Sequence, residues 1–110
     1  MATNTFTNAV IANVVTAGNV VYTAPSGKKS ILIELDVGNR GNSGVTCDVT
    51  ITKSSTSTTA YVIKGAPVPS GGALQVISGQ KIVLLANDYI TVYSSANNSL
   101  DVISSILEDV

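Results

Sequence analysis

Histidine and tryptophan are absent from this chain of 110 residues, phenylalanine and cysteine occur once each, and charged residues make up only 12%. Each absence closes a class of function. Histidine is the one side chain whose unperturbed pKa lies between pH 5 and 8, and it is the commonest metal ligand. Without it, triads, most general acid–base schemes and zinc sites lack their usual groups. A single cysteine, Cys47, admits no internal disulfide. Set among alternating apolar residues, it reads as a small buried hydrophobe and not a nucleophile. The net charge is −1, with no basic cluster beyond Lys28-Lys29, so there is no electrostatic footprint for nucleic acid. No apolar run approaches the ~20 residues that span a bilayer. Residues 1–10 lack the basic-then-apolar pattern of a signal peptide. Folding in a cytosol is expected, with no membrane partner, no cofactor and no metal.

What the chain does hold is short runs of alternating apolar and polar residues, punctuated by Gly, Ser, Asn and Pro. Hydrophobic residues reach 45%, mostly Val, Ile, Leu and Ala, with Ser and Thr supplying much of the rest. β-Branched side chains suit pleated strands, and this composition excludes a disordered chain. A chain of this length buries roughly 65% of the surface its unfolded form exposes. One domain over residues 1–110 is expected.

Residues 5–15 form a mildly apolar opening, so 1–15 is either an N-terminal arm carrying Phe6, Val10 and Ile11 or a first strand. Val20-Val21-Tyr22 is a short strand stopped by Ala24-Pro25-Ser26-Gly27, where Pro pre-sets φ and Gly supplies turn freedom. Ile31, Ile33, Leu35 and Val37 then fall on one face, opposed by Ser30, Glu34, Asp36 and Gly38, with Leu32 the exception. After the loop GNRGNSG (38–44), Val45, Cys47, Val49 and Ile51 alternate with Thr46, Asp48, Thr50 and Thr52, and the two strands read as a hairpin. SSTSTTA (54–60) reads as a loop and 61–64 as a brief strand. GAPVPSGGA (65–73) must be an edge or crossover, because Pro cannot donate to a ladder. Residues 74–77 read as a short strand turned by Ser78-Gly79-Gln80 into 81–86, which is apolar on both faces. Residues 89–95 follow as another strand. Residues 100–110 suit a strand best, although Leu100, Ile103, Leu107 and Val110 also match a helical spacing. About eight strands at this spacing predict an all-β, single-domain antiparallel β-sandwich with jelly-roll or Greek-key connections.

Candidate sites are few. Among the acidic residues, Glu34 and Asp36 share a strand face and offer a glycosidase-like pair, but no aromatic-lined cleft accompanies them; a solvated face accounts for them better. Asp36, Asn39 and Asn42 could supply oxygens to calcium, yet the spacing of a calcium loop is missing. Asn side chains bonding their own turn explain that cluster. Tyr89 and Tyr93 share an outward face and form either a small sugar platform or a packing surface.

The more informative feature is a surplus of apolar residues. If Leu100, Val102 and Ile106 point into a core, Ile103 and Leu107 point out of it. Val83 and Leu85 likewise face away from Ile82 and Leu84. Strands apolar on both faces need a second cover: either the N-terminal segment or another subunit. The expected interface is Val83, Leu85, Tyr89, Tyr93, Ile103 and Leu107, in a homo-oligomer.

Three stretches together resemble small jelly-roll virion proteins of tailed bacteriophages, which serve as capsid decoration or cement proteins or as neck and tail accessories. They are VVYTAPSGKKSILIELDVGNRGNSG (20–44), GAPVPSGGALQVISGQKIVLLANDYITVYSS (65–95) and LDVISSILE (100–108). The resemblance implies a jelly roll without catalysis, assembly on the virion surface often as a trimer, and the major capsid protein or another virion protein as partner. It does not separate head from neck, tail or fibre, and it brings no functional residues with it. A surface carbohydrate-binding module is the more distant alternative.

Overall fold

The computed structural model describes residues 4–109, the side chains of Gly79 and Gln80 excepted. Eight strands form two sheets: β1 (Thr5–Ile11), β8 (Leu100–Glu108), β3 (Ser30–Asn39) and β6 (Ala73–Leu84) in one, and β2 (Asn19–Thr23), β7 (Tyr89–Ser94), β4 (Val45–Lys53) and β5 (Thr58–Val68) in the other. Every pairing is antiparallel. This order is the eight-stranded jelly roll of two interleaved Greek keys. Their inner faces share one core, to which β3 gives Leu32, Leu35 and Val37, β8 gives Leu100, Val102 and Ile106, and β4 gives Cys47 and Val49.

The hairpin expected between the third and fourth strands does not form, because β3 and β4 lie in different sheets. Asn39 makes the crossing. Its buried side chain donates to the carbonyls of Ser43 (2.9 Å) and Val68 (3.0 Å), and its Oδ1 accepts from the Gly41 amide (2.8 Å). Its own backbone pairs with Gly71 and Gly72. Loop 40–44 is thereby tied to the turn after β5 and directed to the second sheet. Among the described strands, β4 and β5 are the pair that a short turn joins within one sheet.

Two further expectations are corrected. Ser78-Gly79-Gln80 is no turn: β6 runs unbroken from Ala73 to Leu84, and its extra residues are absorbed as a register shift against β3. In β3, the residues expected on one face are divided by a bulge. Leu32 pairs with Ile106 and Glu34 with Ser105, so Ile33 has no counterpart on β8. One extra residue reverses parity, and the inward set becomes Leu32, Leu35 and Val37, with Ile31 on the outer side.

Of the two readings for residues 1–15, Thr5–Ile11 takes the strand and not the free arm, and residues 1–3 lie outside the described residues. All seven positions of β1 pair with β8, and the Ser104 hydroxyl donates to the Ala9 carbonyl at 3.0 Å. An apolar alternation beside an open sheet edge satisfies its backbone most cheaply by joining it. The closing segment is strand β8, within which Leu100, Val102, Ser104 and Ile106 are buried; Val110 lies outside the described residues.

The Asn39→Ala variant should lose about 2–3 kcal/mol of unfolding free energy in urea titrations, since buried carbonyls and an amide lose their partner. Asn42→Ala, in the exposed part of the same loop, should stay within about 0.5 kcal/mol of wild type.

Candidate assembly face

The outer surface of the β1-β8-β3-β6 sheet is banded. Phe6 lies opposite Leu107, Leu107 opposite Ile31, and Ile31 opposite Val83, so one apolar row crosses all four strands. Such neighbours stand about 4.5–5.5 Å apart at Cβ and interact directly. The next outward row, Asn8, Ser105, Glu34 and Ser78, is polar; the third, Val10, Ile103, Asp36 and Gln75, is half apolar. Exposure is high where water is least welcome: 76% for Phe6, 61% for Val10, and 58% for both Val83 and Ile103. Gly38 and Asp101 close the face, where Asp101 pairs with Arg40 at 3.1 Å and accepts from the Asn13 amide.

Glu34 and Asp36 stand together on this surface. The hydrogen bond and the charge of Asp36, with a smaller contribution from burial, hold the Glu34 carboxyl above the usual carboxylate range. Asp36 Oδ1 is the buried polar side-chain atom, among the described residues, that has no hydrogen-bond partner.

Of the residues expected at an interface, Val83, Ile103 and Leu107 share this face. Leu85 sits one residue past β6, 40% exposed. Tyr89 and Tyr93 belong to β7 in the other sheet and do not join them. Phe6 and Val10, expected on an arm, prove to be part of the face, and Ile11 turns inward against the core. Ile31 was hidden from sequence reasoning by the bulge. Phe6 and Val10 had a signal in their alternation with Asn8.

The opposite sheet offers less. A hollow of about 180 Å³ is lined by Thr16, Thr46, Asp48, Tyr93, Ser94 and Ser95, below the ~300 Å³ at which ligand pockets begin. Its polar groups serve the fold. Asp48 accepts from the Gly65 amide (2.7 Å), where a φ of +65° needs glycine, and Ser95 Oγ accepts from the Thr46 amide. Gly18 leaves room for the Tyr93 ring, since a Cβ there would lie 2.5 Å from it. The other acids are also engaged: Asp88 accepts from the Ser54 and Leu85 amides, and Glu108 accepts from the Tyr22 hydroxyl. No group of potential metal ligands occurs among the described residues.

No protein-family model and no curated protein sequence matches the chain. Solved structures do share its architecture. A chain of the T13 infectious bursal disease virus particle matches with a TM-score of 0.57 at 10% identity, over 94% of this chain but 30% of its own length. The acid-stable capsid of the Helicobacter pylori bacteriophage KHP30 contains a chain matching at 0.56 and 14% identity, over 97% of this chain and 90% of that one. Bacillus endospore appendages, which form disulfide-linked pili, contain a third at 0.51 and 10% identity, covering 99% and 89%. The fold is that of viral capsid proteins. The pili share it too.

Tyr22 ties the two sheets at one end of the sandwich, its hydroxyl bonded to Ser30 Oγ (2.9 Å) and to Glu108. Burial first, then the bond to Glu108, pushes its pKa up to about 12 from 10.0. A raised pKa means the folded state holds the neutral phenol. The stabilisation is complete below about pH 10 and lost as pH climbs through 12. Urea titrations should show wild type more stable than Tyr22→Phe at pH 8, with the difference shrinking toward pH 12.

Proposed function

We propose that this chain is a non-enzymatic structural protein of a bacteriophage virion: a cement or decoration protein that self-associates and bridges capsid subunits on the outer shell. The observation that carries the reading is the apolar row Phe6–Leu107–Ile31–Val83 across a capsid-type jelly roll, with Phe6 and Val83 exposed and Leu107 and Ile31 half-buried between them. A row of large apolar side chains exposed to water is expected where a protein meets a protein. Burying each in full is worth roughly 1.5–3 kcal/mol, before the cost of association is set against it.

The occupant of this face is a second copy of the chain. Four strands at about 4.8 Å and nine residues at about 3.3 Å make roughly 500 Å² of flat area, which side-chain relief brings near the ~600–800 Å² per partner of a modest protein interface. A patch set against its own copy brings apolar band to apolar band. The remaining loops and the opposite sheet are left to meet the major capsid protein. Cement acts by mass action: a protein that binds only the assembled lattice stabilises it by RT ln(1 + [L]/Kd) per site, about 2.7 kcal/mol at a hundred times Kd.

Two measurements test the reading. Purified particles should carry this chain on the shell at a copy number near that of the major capsid protein. A few to a few dozen copies would instead place it in the neck, tail or fibre, and absence from particles would overturn a virion role. In sedimentation velocity, the Ile103→Asp/Leu107→Asp variant should run as a folded monomer where wild type is oligomeric. Val20→Asp, on the other sheet, should leave the assembly intact. A doubly charged variant sedimenting like wild type excludes this face.

A further inference from the structure

The surface argued to receive a second copy carries an electrostatic obstacle at its centre. Glu34 and Asp36 occupy consecutive outward positions of β3, an interior strand of the sheet. The groups around them provide no counter-charge. β8 places Ser105 opposite Glu34 and Ile103 opposite Asp36; β6 places Ser78 and Gln75 there; β1, one strand further out, contributes Asn8 and Val10. The charged residues of these strands are otherwise disposed. Asp101 on β8 is held by Arg40, and Glu108 accepts from Tyr22. Lys81, the basic residue of β6, is exposed and makes no ion pair with either carboxylate.

Two adjacent carboxylates resist ionising together even in contact with water. Covering them with protein removes the solvent that tolerates their charge, and an unpaired buried ion is strongly disfavoured. An apolar face with such a pair at its middle is therefore a poor interface when both groups are ionised. It is a good one when a proton lies between them, because one acid then donates to the other.

Resting on the self-association reading above, we infer that assembly of this chain is proton-linked: Glu34 and Asp36 take up at least one proton per subunit when a second copy covers the β1-β8-β3-β6 face. Asp36 Oδ1, buried and without a hydrogen-bond partner, is an acceptor left unsatisfied beside Glu34. The upward displacement of the Glu34 pKa in the single chain points the same way.

Sedimentation equilibrium of wild type and of the Glu34→Gln/Asp36→Asn variant, from pH 7.5 to 5.5, decides the matter. The wild-type association constant should rise as pH falls, approaching tenfold per pH unit for each proton taken up. The double variant should associate at pH 7.5 about as tightly as wild type does at pH 5.5, with no slope. Wild-type association that is flat across this range overturns the inference while leaving self-association standing. Monomers at every pH in both proteins overturn the self-association reading itself. Should the double variant fail to fold by circular dichroism, Glu34→Gln alone serves, since its amide donates to Asp36 in the proton's place. It should raise the pH 7.5 constant and reduce the slope, and a Glu34→Gln protein indistinguishable from wild type overturns the inference.

Discussion

Between Leu32 and Glu34 the third strand holds one residue more than β8 beside it, and the composition of both faces of the sheet depends on that residue. Without the bulge, strict alternation would put Ile31, Ile33, Leu35 and Val37 on one side, leaving Leu32 outside. With it, Leu32 joins Leu35 and Val37 in the core, and Ile31 falls between Leu107 and Val83 on the outside. The core exchanges Ile31 and Ile33 for Leu32, and the outer row becomes continuous. A bulge that re-aims side chains next to a functional surface is a recurrent device in sheets. Here it moves one isoleucine across the sheet and leaves Glu34 and Asp36 side by side on the outer face.

The outer surfaces of the two sheets are chemically unlike. The β2-β7-β4-β5 side presents Thr50, Thr52, Thr91 and the tyrosines, close-set enough that those three threonines are largely covered by their neighbours. Hydroxyl groups there bond within the fold, as Thr52 does with Thr59. The β1-β8-β3-β6 side carries exposed Phe6, Val10, Val83 and Ile103 among its polar rows. This asymmetry, more than total hydrophobicity, is what the proposed interface rests on.

Much of this was legible in the amino-acid sequence, and what was not has physical causes. The limits of β8 follow from its alternation, and the turns at Asn87 and Asn98 follow from residues that tolerate positive φ. Pro25 and Gly27 likewise build a turn in which Lys28 donates to the Pro25 carbonyl. Pairing was not legible. A five-residue loop rich in Gly and Asn closes a hairpin or crosses between sheets with equal ease, and the choice was made by Asn39 reaching Val68, a partner 29 positions away. Ser78-Gly79-Gln80 carries turn chemistry, but Gly inside a strand also marks a bulge, and pairing with β3 decided in favour of the strand. The surplus of apolar side chains was visible; its alignment into a single row required the register of four strands.

Cys47 lies in the interior, fully covered, its thiol pushed up to about 11 by burial and by the neighbouring Asp48 carboxylate. It is the one sulfhydryl in the chain. Its thiol is out of reach of a neighbouring copy while the chain is folded, unlike the cysteines of disulfide-linked pili. In the proposed assembly, copies would therefore meet without sulfur bridges through Cys47, and their exchange would follow the strength of the contacts between faces.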